Sequence, residues 1–330
     1  MKKLSPQHIL RKCSKCRCLR TNTGNEFFFS LHYDQPEKGI HTLLDFKKNH
    51  HGVNIDEPKC AGRSNAVDLE TLVNEVAARA RHFGRSLIGF STGSLYKFEV
   101  PLVDKLKAFL RAGSTVLELS FATTEELLAF DPTEADLSKF KKYHKITVHA
   151  PWKGIRYFDG TVQAYQVIEK IIELGQLFHV SGVVFHPDIV DNFDALDFVP
   201  LPILIENMDR NKKFGISPEE MAMIKLNYGF DFVLDLQHAY EHDPSMLLAQ
   251  ELIEAMGDRI AHLHVSGQSK TSRHAPVYQA NNKNEICKLL RTLPNIPVIL
   301  EGVISENFFP SIKIEIHYVT ENGDPFKKKY

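Results

Sequence analysis

The sequence predicts an α/β protein whose main body, residues 65–304, is a (β/α)8 TIM barrel. An N-terminal extension (1–64) precedes it and a short C-terminal β appendage (305–330) follows it. Three observations carry this. Short apolar runs alternate with helix-like segments eight times along the barrel region, as parallel strands buried on both faces require. Six of the later runs end in a side chain able to bind a metal, and the C-terminal rim of a barrel is where strand ends gather chemistry. No Gly-x-Gly-x-x-Gly follows a strand and no P-loop occurs, so the rival open, doubly wound sheet lacks both of its nucleotide fingerprints.

Bulk composition agrees. The 330 residues are 43% apolar and 25% charged, ordinary values for a globular protein with a sizeable core. A formal net charge of -1 advertises no polyanion partner through a global field, although a local basic rim is enough to meet phosphates. No apolar stretch reaches the roughly 18 residues of a membrane helix, and Met1-Lys2-Lys3-Leu4-Ser5-Pro6 lacks the apolar core of a secretory signal. The expectation is a cytoplasmic protein with no membrane partner, its five cysteines reduced or holding metal rather than forming disulfides.

Taken in order, residues 1–64 are rich in Lys, Asn, His and Gly and show no βα rhythm. Cys13, Cys16 and Cys18 with the distant Cys60 are either a four-thiolate structural zinc site or part of a plain reduced tail, since a second Cys-x-x-Cys is missing. Residues 26–33 read as a strand. Leu69, Leu72, Val73, Val76, Ala77 and Phe83 keep helical spacing over 66–83, and Gly84 offers a cap.

The first two barrel strands fall at 87–90 and 116–119, with a helix over 103–110 and a helical stretch around 125–140. Six runs follow: Ile146-Thr147-Val148-His149, Val183-Val184-Phe185-His186, Ile203-Leu204-Ile205-Glu206, Phe232-Val233-Leu234-Asp235, Ile260-Ala261-His262-Leu263-His264 and Val298-Ile299-Leu300-Glu301. Helices are expected near 162–179, 218–227, 244–256 and 282–292. Ser217-Pro218-Glu219-Glu220 supplies a cap, a first-turn proline and a capping-box Glu. Asp243-Pro244 marks a second start and Gly257 its end. After Glu301 no good eighth helix is evident. Residues 311–319 alternate like a half-buried strand, expected to pair with the strand at 26–33, while the helix at 66–83 fills the groove left open.

Each strand-end residue alone has a plainer reading. A lone His is usually a hydrogen-bonded structural residue, Asp235 could cap a helix, Glu206 could sit in an ion pair and Asn207 could satisfy loop backbone. Their coincidence at six successive rim positions points to Zn, Mn or Fe ligands. His238 and His274 join them from the loops, whereas His262, two residues before His264 and facing the same way, is expected deeper in the barrel. Trp152, Lys153 and Arg156 mix cations with an aromatic, and Arg210 and Arg273 add charge near the same mouth. Such residues can hold a phosphate backbone and a splayed base, or be ordinary polar loop.

Taken together, His149-Ala150-Pro151, His186-Pro187, Glu206-Asn207, Asp235-Leu236-Gln237-His238, His264, Arg273-His274 and Leu300-Glu301 resemble the xylose isomerase-like TIM barrels, the AP endonuclease family 2 group that includes endonuclease IV, over residues 85–302. The resemblance implies two or three divalent metals per chain, zinc foremost and manganese or iron as alternatives. A first metal would take His149, His186 and Glu206. A second would take Glu206 as a bridge with Asp235, His264 and Glu301. A third would take His238, His274 and an acidic residue two before the last His, where this chain has Ser272. Glu206, Glu301 and His238 are then the candidate catalytic residues. The chemistry implied is hydrolysis of a phosphate ester, in a phosphorylated small molecule or at an abasic site in DNA. A sugar or sugar-phosphate isomerase or epimerase is the alternative, with Glu206 and Glu301 shuttling a proton; a metal-stabilised binding module is the third. His149 and His186 favour the first, because one metal has less need of two further imidazoles.

Overall fold

The computed structural model describes residues 87–293 and 296–323 in full, together with the backbone of four three-residue strands nearer the N-terminus. The chain divides into two compact units, Met1–Gly84 and Arg85–Tyr330. In the first, Leu10–Lys12 pairs antiparallel with Leu19–Thr21 and parallel with Asn54–Asp56, which pairs antiparallel with Ala66–Asp68. A strand at Ala66–Asp68 corrects the expected start of a helix there. The expected strand at 26–33, the remainder of the helix through Phe83, and Cys13, Cys16, Cys18 and Cys60 lie outside the described residues.

The second unit is a closed barrel of eight parallel strands. These are β1 (Ile88–Ser91), β2 (Val116–Ser120), β3 (Lys145–His149), β4 (Gly182–Phe185), β5 (Ile203–Glu206), β6 (Asp231–Asp235), β7 (Ile260–Val265) and β8 (Val298–Leu300). Pairing of β8 with β1 closes the ring. Outside run α1 (Leu102–Ala112), α2 (Thr124–Leu128), α3 (Glu134–Phe140), α4 (Val162–Leu177), α5 (Phe193–Asp197), α6 (Pro218–Tyr228), α7 (Leu236–His242), α8 (Leu247–Met256), α9 (Lys283–Leu290) and α10 (Phe308–Asn322).

Local chemistry sets these boundaries. The stretch expected around 125–140 is two short helices, because Thr123 with Glu126 and Thr133 with Asp136 each form a complete capping box. Ser217 and Glu220 start α6 in the same way, and Gly229 ends it in the left-handed conformation. At Asp243-Pro244 no helix begins. The Asp243 carboxylate instead accepts from Ser245 and Leu248 N–H groups, and α8 starts at Leu247 and ends at Gly257.

The expected β appendage is a helix, α10, so the barrel keeps its eighth helix. Its buried positions, Ser311, Ile312, Glu315, Ile316 and Val319, follow helical spacing, and Ile314 is 48% exposed. Ile312, Ile314 and Ile316 mimic alternation, but the fully buried Glu315 decides the matter. Its carboxylate accepts from the Val277 N–H at 2.7 Å and the Tyr278 N–H at 3.1 Å, tying α10 to the turn Val277–Gln279. Pro310 sits in the first helical turn, where a missing N–H leaves nothing unsatisfied.

Most of the core lies between barrel and helices, with stacked Phe90 and Phe109 and the buried Phe140, Phe185 and Phe232 among its largest members. No helix among the described residues is long and apolar enough to cross a membrane.

Candidate metal centre

Parallel strands in register put residues of like parity at one height. Asp235 lies beside His264, Glu206 beside Val233, and His149 beside Ser120 and Val184. His186 follows β4 and Glu301 follows β8. All six side chains emerge at the C-terminal end of the barrel, where Glu206 is their hub. Its Oε2 lies 3.1 Å from His149 Nε2 and 3.2 Å from His186 Nε2. Its Oε1 lies 3.1 Å from His264 Nδ1 and 3.4 Å from His238 Nδ1. Glu301 Oε2 is 3.3 Å from His264 Nδ1. One donor atom each from Glu206, Asp235, His264 and Glu301 lies within 4.8 Å of the others, and so does one each from His149, Glu206 and His264.

The surroundings orient these groups. Asp235 caps α7, its Oδ1 accepting from Gln237 and His238 N–H groups at 2.6 and 2.8 Å. Asn207 accepts from the Asp235 N–H and donates back to the Asp235 carbonyl, the backbone role expected of it. His238 Nδ1 lies 2.9 Å from the Asn207 carbonyl. His274 is held by Ser266 Oγ at 3.0 Å from its Nδ1, with its ring edge-on to His238 at 5.6 Å. Gly302 permits this, since a Cβ there would lie 2.5 Å from Pro276 Cα, and the Val303 N–H can then bond the His274 carbonyl at 2.9 Å. Ser272 offers no carboxylate, so His238 and His274 meet without the acidic partner of a third site at that position.

Eight titratable groups, most of them buried, share a few ångströms, and their proton affinities diverge. Burial disfavours charge on Glu206, but the facing imidazoles, His264 first, hold it well below the usual carboxylate range. Burial and the neighbouring Glu206 and Asp235 push Glu301 up to about 8, against the pull of His264. Burial opposes charge on His238, yet Asp235 and Glu206 raise it to about 9. His149 is raised by Glu206 against its own burial, whereas burial prevails at His186 and His274 and lowers both.

These residues fit divalent cations. Asp235 Oδ2 is buried without a hydrogen-bond partner, a costly arrangement unless something else satisfies it. The donor set is imidazole and carboxylate, suited to Zn, Mn or Fe. A cavity of about 830 Å³ opens above, reaching His149, His186, Glu206, His238, His274 and Glu301 and walled by Trp152, Lys153, Lys105 and Lys212. Trp152 stands edge-on to His149, ring centroids 4.8 Å apart.

The structure differentiates the rim cations. Arg156 does not line the cavity; it forks onto Asp191. Arg210 and Arg273 stand outside it, 3.8 and 3.7 Å from the buried Glu241 carboxylate. Lys212 reaches the cavity while paired with Asp188 at 2.9 Å. His262 lies below the rim as expected, its Nε2 3.2 Å from His264 Nε2.

One residue escaped the sequence reading. Glu118, in the middle of β2, is fully buried, with Oε1 3.1 Å from His264 Nε2 and Oε2 3.4 Å from His262 Nε2. It forms a third donor cluster with these two histidines. The signal was present: a carboxylate inside the apolar run Val116-Leu117-Glu118-Leu119 is expensive to bury without partners.

No family model and no curated protein matches the sequence. Solved structures do match the fold. Endonuclease IV from Thermus thermophilus superposes with a TM-score of 0.55 at 17% identity, over 71% of this chain and 98% of that one. A D-tagatose 3-epimerase-like protein gives 0.52 at 18%, over 72% and 97%. The chain shares the (β/α)8 TIM-barrel fold of these structures. A further barrel of this kind, the IOLI protein with a binding zinc atom, gives 0.55 at 15%, over 74% of this chain and 99% of that one. Its structural neighbours are enzymes of differing reaction, so the likeness fixes the architecture and the reaction has to be argued from the site.

Proposed function

We propose that this protein is a metal-dependent phosphoester hydrolase with a two-metal centre, acting on a phosphorylated small molecule or on the DNA backbone at an abasic site. The observation that carries the reading is the division of labour at Glu206. One oxygen faces His149 and His186, the other faces His264 on the side of Asp235 and Glu301. A carboxylate with donors gathered at both oxygens suits a bridge between two cations. His238 and His274 lack an acid at Ser272 and are assigned to the substrate phosphate instead.

Bound cations would neutralise phosphoryl charge and make hydroxide available at neutral pH. The chain's own residues do the rest. Glu301 or Glu206 fixes the attacking hydroxide by accepting its one hydrogen bond. His238, beside Asp235 and Glu206, offers its outer edge to phosphate oxygens. Trp152 supplies an apolar wall on which a sugar or base can lie, and Lys153 and Lys212 meet flanking negative charge. Arg156, Arg210 and Arg273, held by acidic partners outside the cavity, serve only a substrate that extends beyond it.

The test is elemental analysis of purified protein with a parallel assay on bis(p-nitrophenyl) phosphate and an abasic-site oligonucleotide. Two metals per chain and cleavage lost on chelation are expected. One metal per chain with no cleavage of either substrate would defeat the reading. The isomerase or epimerase alternative has its own support, since Glu206, Asp235, His264 and Glu301 make a complete single-metal set. Deuterium uptake from solvent into a ketose would establish it.

A further inference from the structure

We infer that Glu118 is a positioning residue for the metal centre: it fixes His264 so that Nδ1 presents its lone pair to the cation. The inference rests on reading the strand-end cluster as a metal site, and it adds a residue that the resemblance does not supply.

A neutral imidazole carries one N–H and one lone pair. His264 points Nδ1 upward at Glu206 Oε1 and Glu301 Oε2, 3.1 and 3.3 Å away. For Nδ1 to bind a cation, the proton must sit on Nε2, and that N–H needs an acceptor. His264 is fully buried, out of reach of bulk solvent. Glu118 Oε2, 3.2 Å below Nε2 and in hydrogen-bonding geometry with it, is the carboxylate oxygen in reach. The Thr147 hydroxyl fixes the carboxylate itself by donating to Oε2 at 2.9 Å. His262 Nε2 borders the same oxygen at 3.4 Å and closes the space around it. β2, β3 and β7 thus each contribute an interior side chain one layer below the rim, and their product is a single ring orientation and a single tautomer of His264. A carboxylate behind a metal-bound imidazole also raises the basicity of the ligand, and loss of such a partner weakens metal binding about 10- to 100-fold.

The test uses the full chain titrated with Zn2+ under chelator competition, with long-range proton–nitrogen NMR of the histidines in the zinc-loaded protein. In the wild type, His264 should show a metal-bound Nδ1 and a protonated Nε2. Glu118→Met should lower zinc affinity about 10- to 100-fold, whereas Glu118→Gln, which keeps a carbonyl oxygen at the same place, should recover most of it. Should the Met variant fail to fold, Glu118→Gln and Thr147→Val remain, the latter lowering affinity by a smaller factor. Unchanged affinity in Glu118→Met, or a wild-type His264 bound to zinc through Nε2, would overturn the proposal. Neither readout depends on substrate. A zinc-loaded wild type that cleaves no phosphoester defeats the hydrolase reading alone, and a wild type that takes up no zinc defeats both.

Discussion

Glu206→Gln is the most informative single change. The amide is isosteric with the carboxylate but offers one oxygen and one NH2, so it can serve only one of the two groups of donors that Glu206 faces. Where the NH2 points, a cation loses a ligand and meets a dipole of the wrong sign. One of two metals should therefore be lost. A ligand at 100 times its Kd stabilises the folded state by about 2.7 kcal/mol. The metal-dependent stabilisation should accordingly fall from about 5 to about 3 kcal/mol. For a unit the size of Arg85–Tyr330, that is roughly 5–10 °C less increase in Tm on adding metal. Phosphoesterase activity should drop by about 100- to 1,000-fold, the usual effect of removing one group that stabilises developing charge. Thermal unfolding with and without Zn2+, alongside metal content per chain, reads both quantities. A variant that holds the same number of metals with the same thermal shift would refute the bridging role.

Three further outcomes follow from the geometry. Burial pushes Glu315 up to about 7 from an ordinary 4.5, against two backbone N–H bonds. Between those pH values the folded state retains a proton that the unfolded chain has released. The Glu315 contribution to stability therefore falls as pH rises through this window, by about 3 kcal/mol in all. Glu315→Gln should lack that slope in denaturant titrations from pH 4 to 8; parallel curves for the two proteins would contradict it. Gly302→Ala forces backbone against backbone at Pro276 and should cost about 1–3 kcal/mol, with faster hydrogen exchange at the Val303 amide as the local sign. Trp152→Ala should raise KM about 5- to 150-fold, the loss of one stacking surface, with metal content unchanged.

Much of the barrel was legible because its signals are local. Buried parallel strands need apolar runs, capping boxes need particular residues three apart, and side-chain parity within a strand is fixed by the backbone. Hence strand ends at His149, Glu206, Asp235 and His264 could be read from order alone, and so could the deeper placement of His262. The last helix was misread for an equally local reason. Ile312, Ile314 and Ile316 satisfy period two, while the helical choice depends on Glu315 finding the Val277 and Tyr278 amides 38 and 37 residues away.

What the sequence determined, then, was which residues stand at the top of each strand, since alternation and chain order are one-dimensional facts. The tertiary structure alone decided which of them meet. It set Glu118 under His264 across 146 residues, and it placed His149 and His186 on the opposite oxygen of Glu206 from His264. It also moved Arg156, Arg210 and Arg273 out of the cavity by giving them acidic partners. These are outcomes of closing the barrel, because distances between strands exist only once β8 has paired with β1.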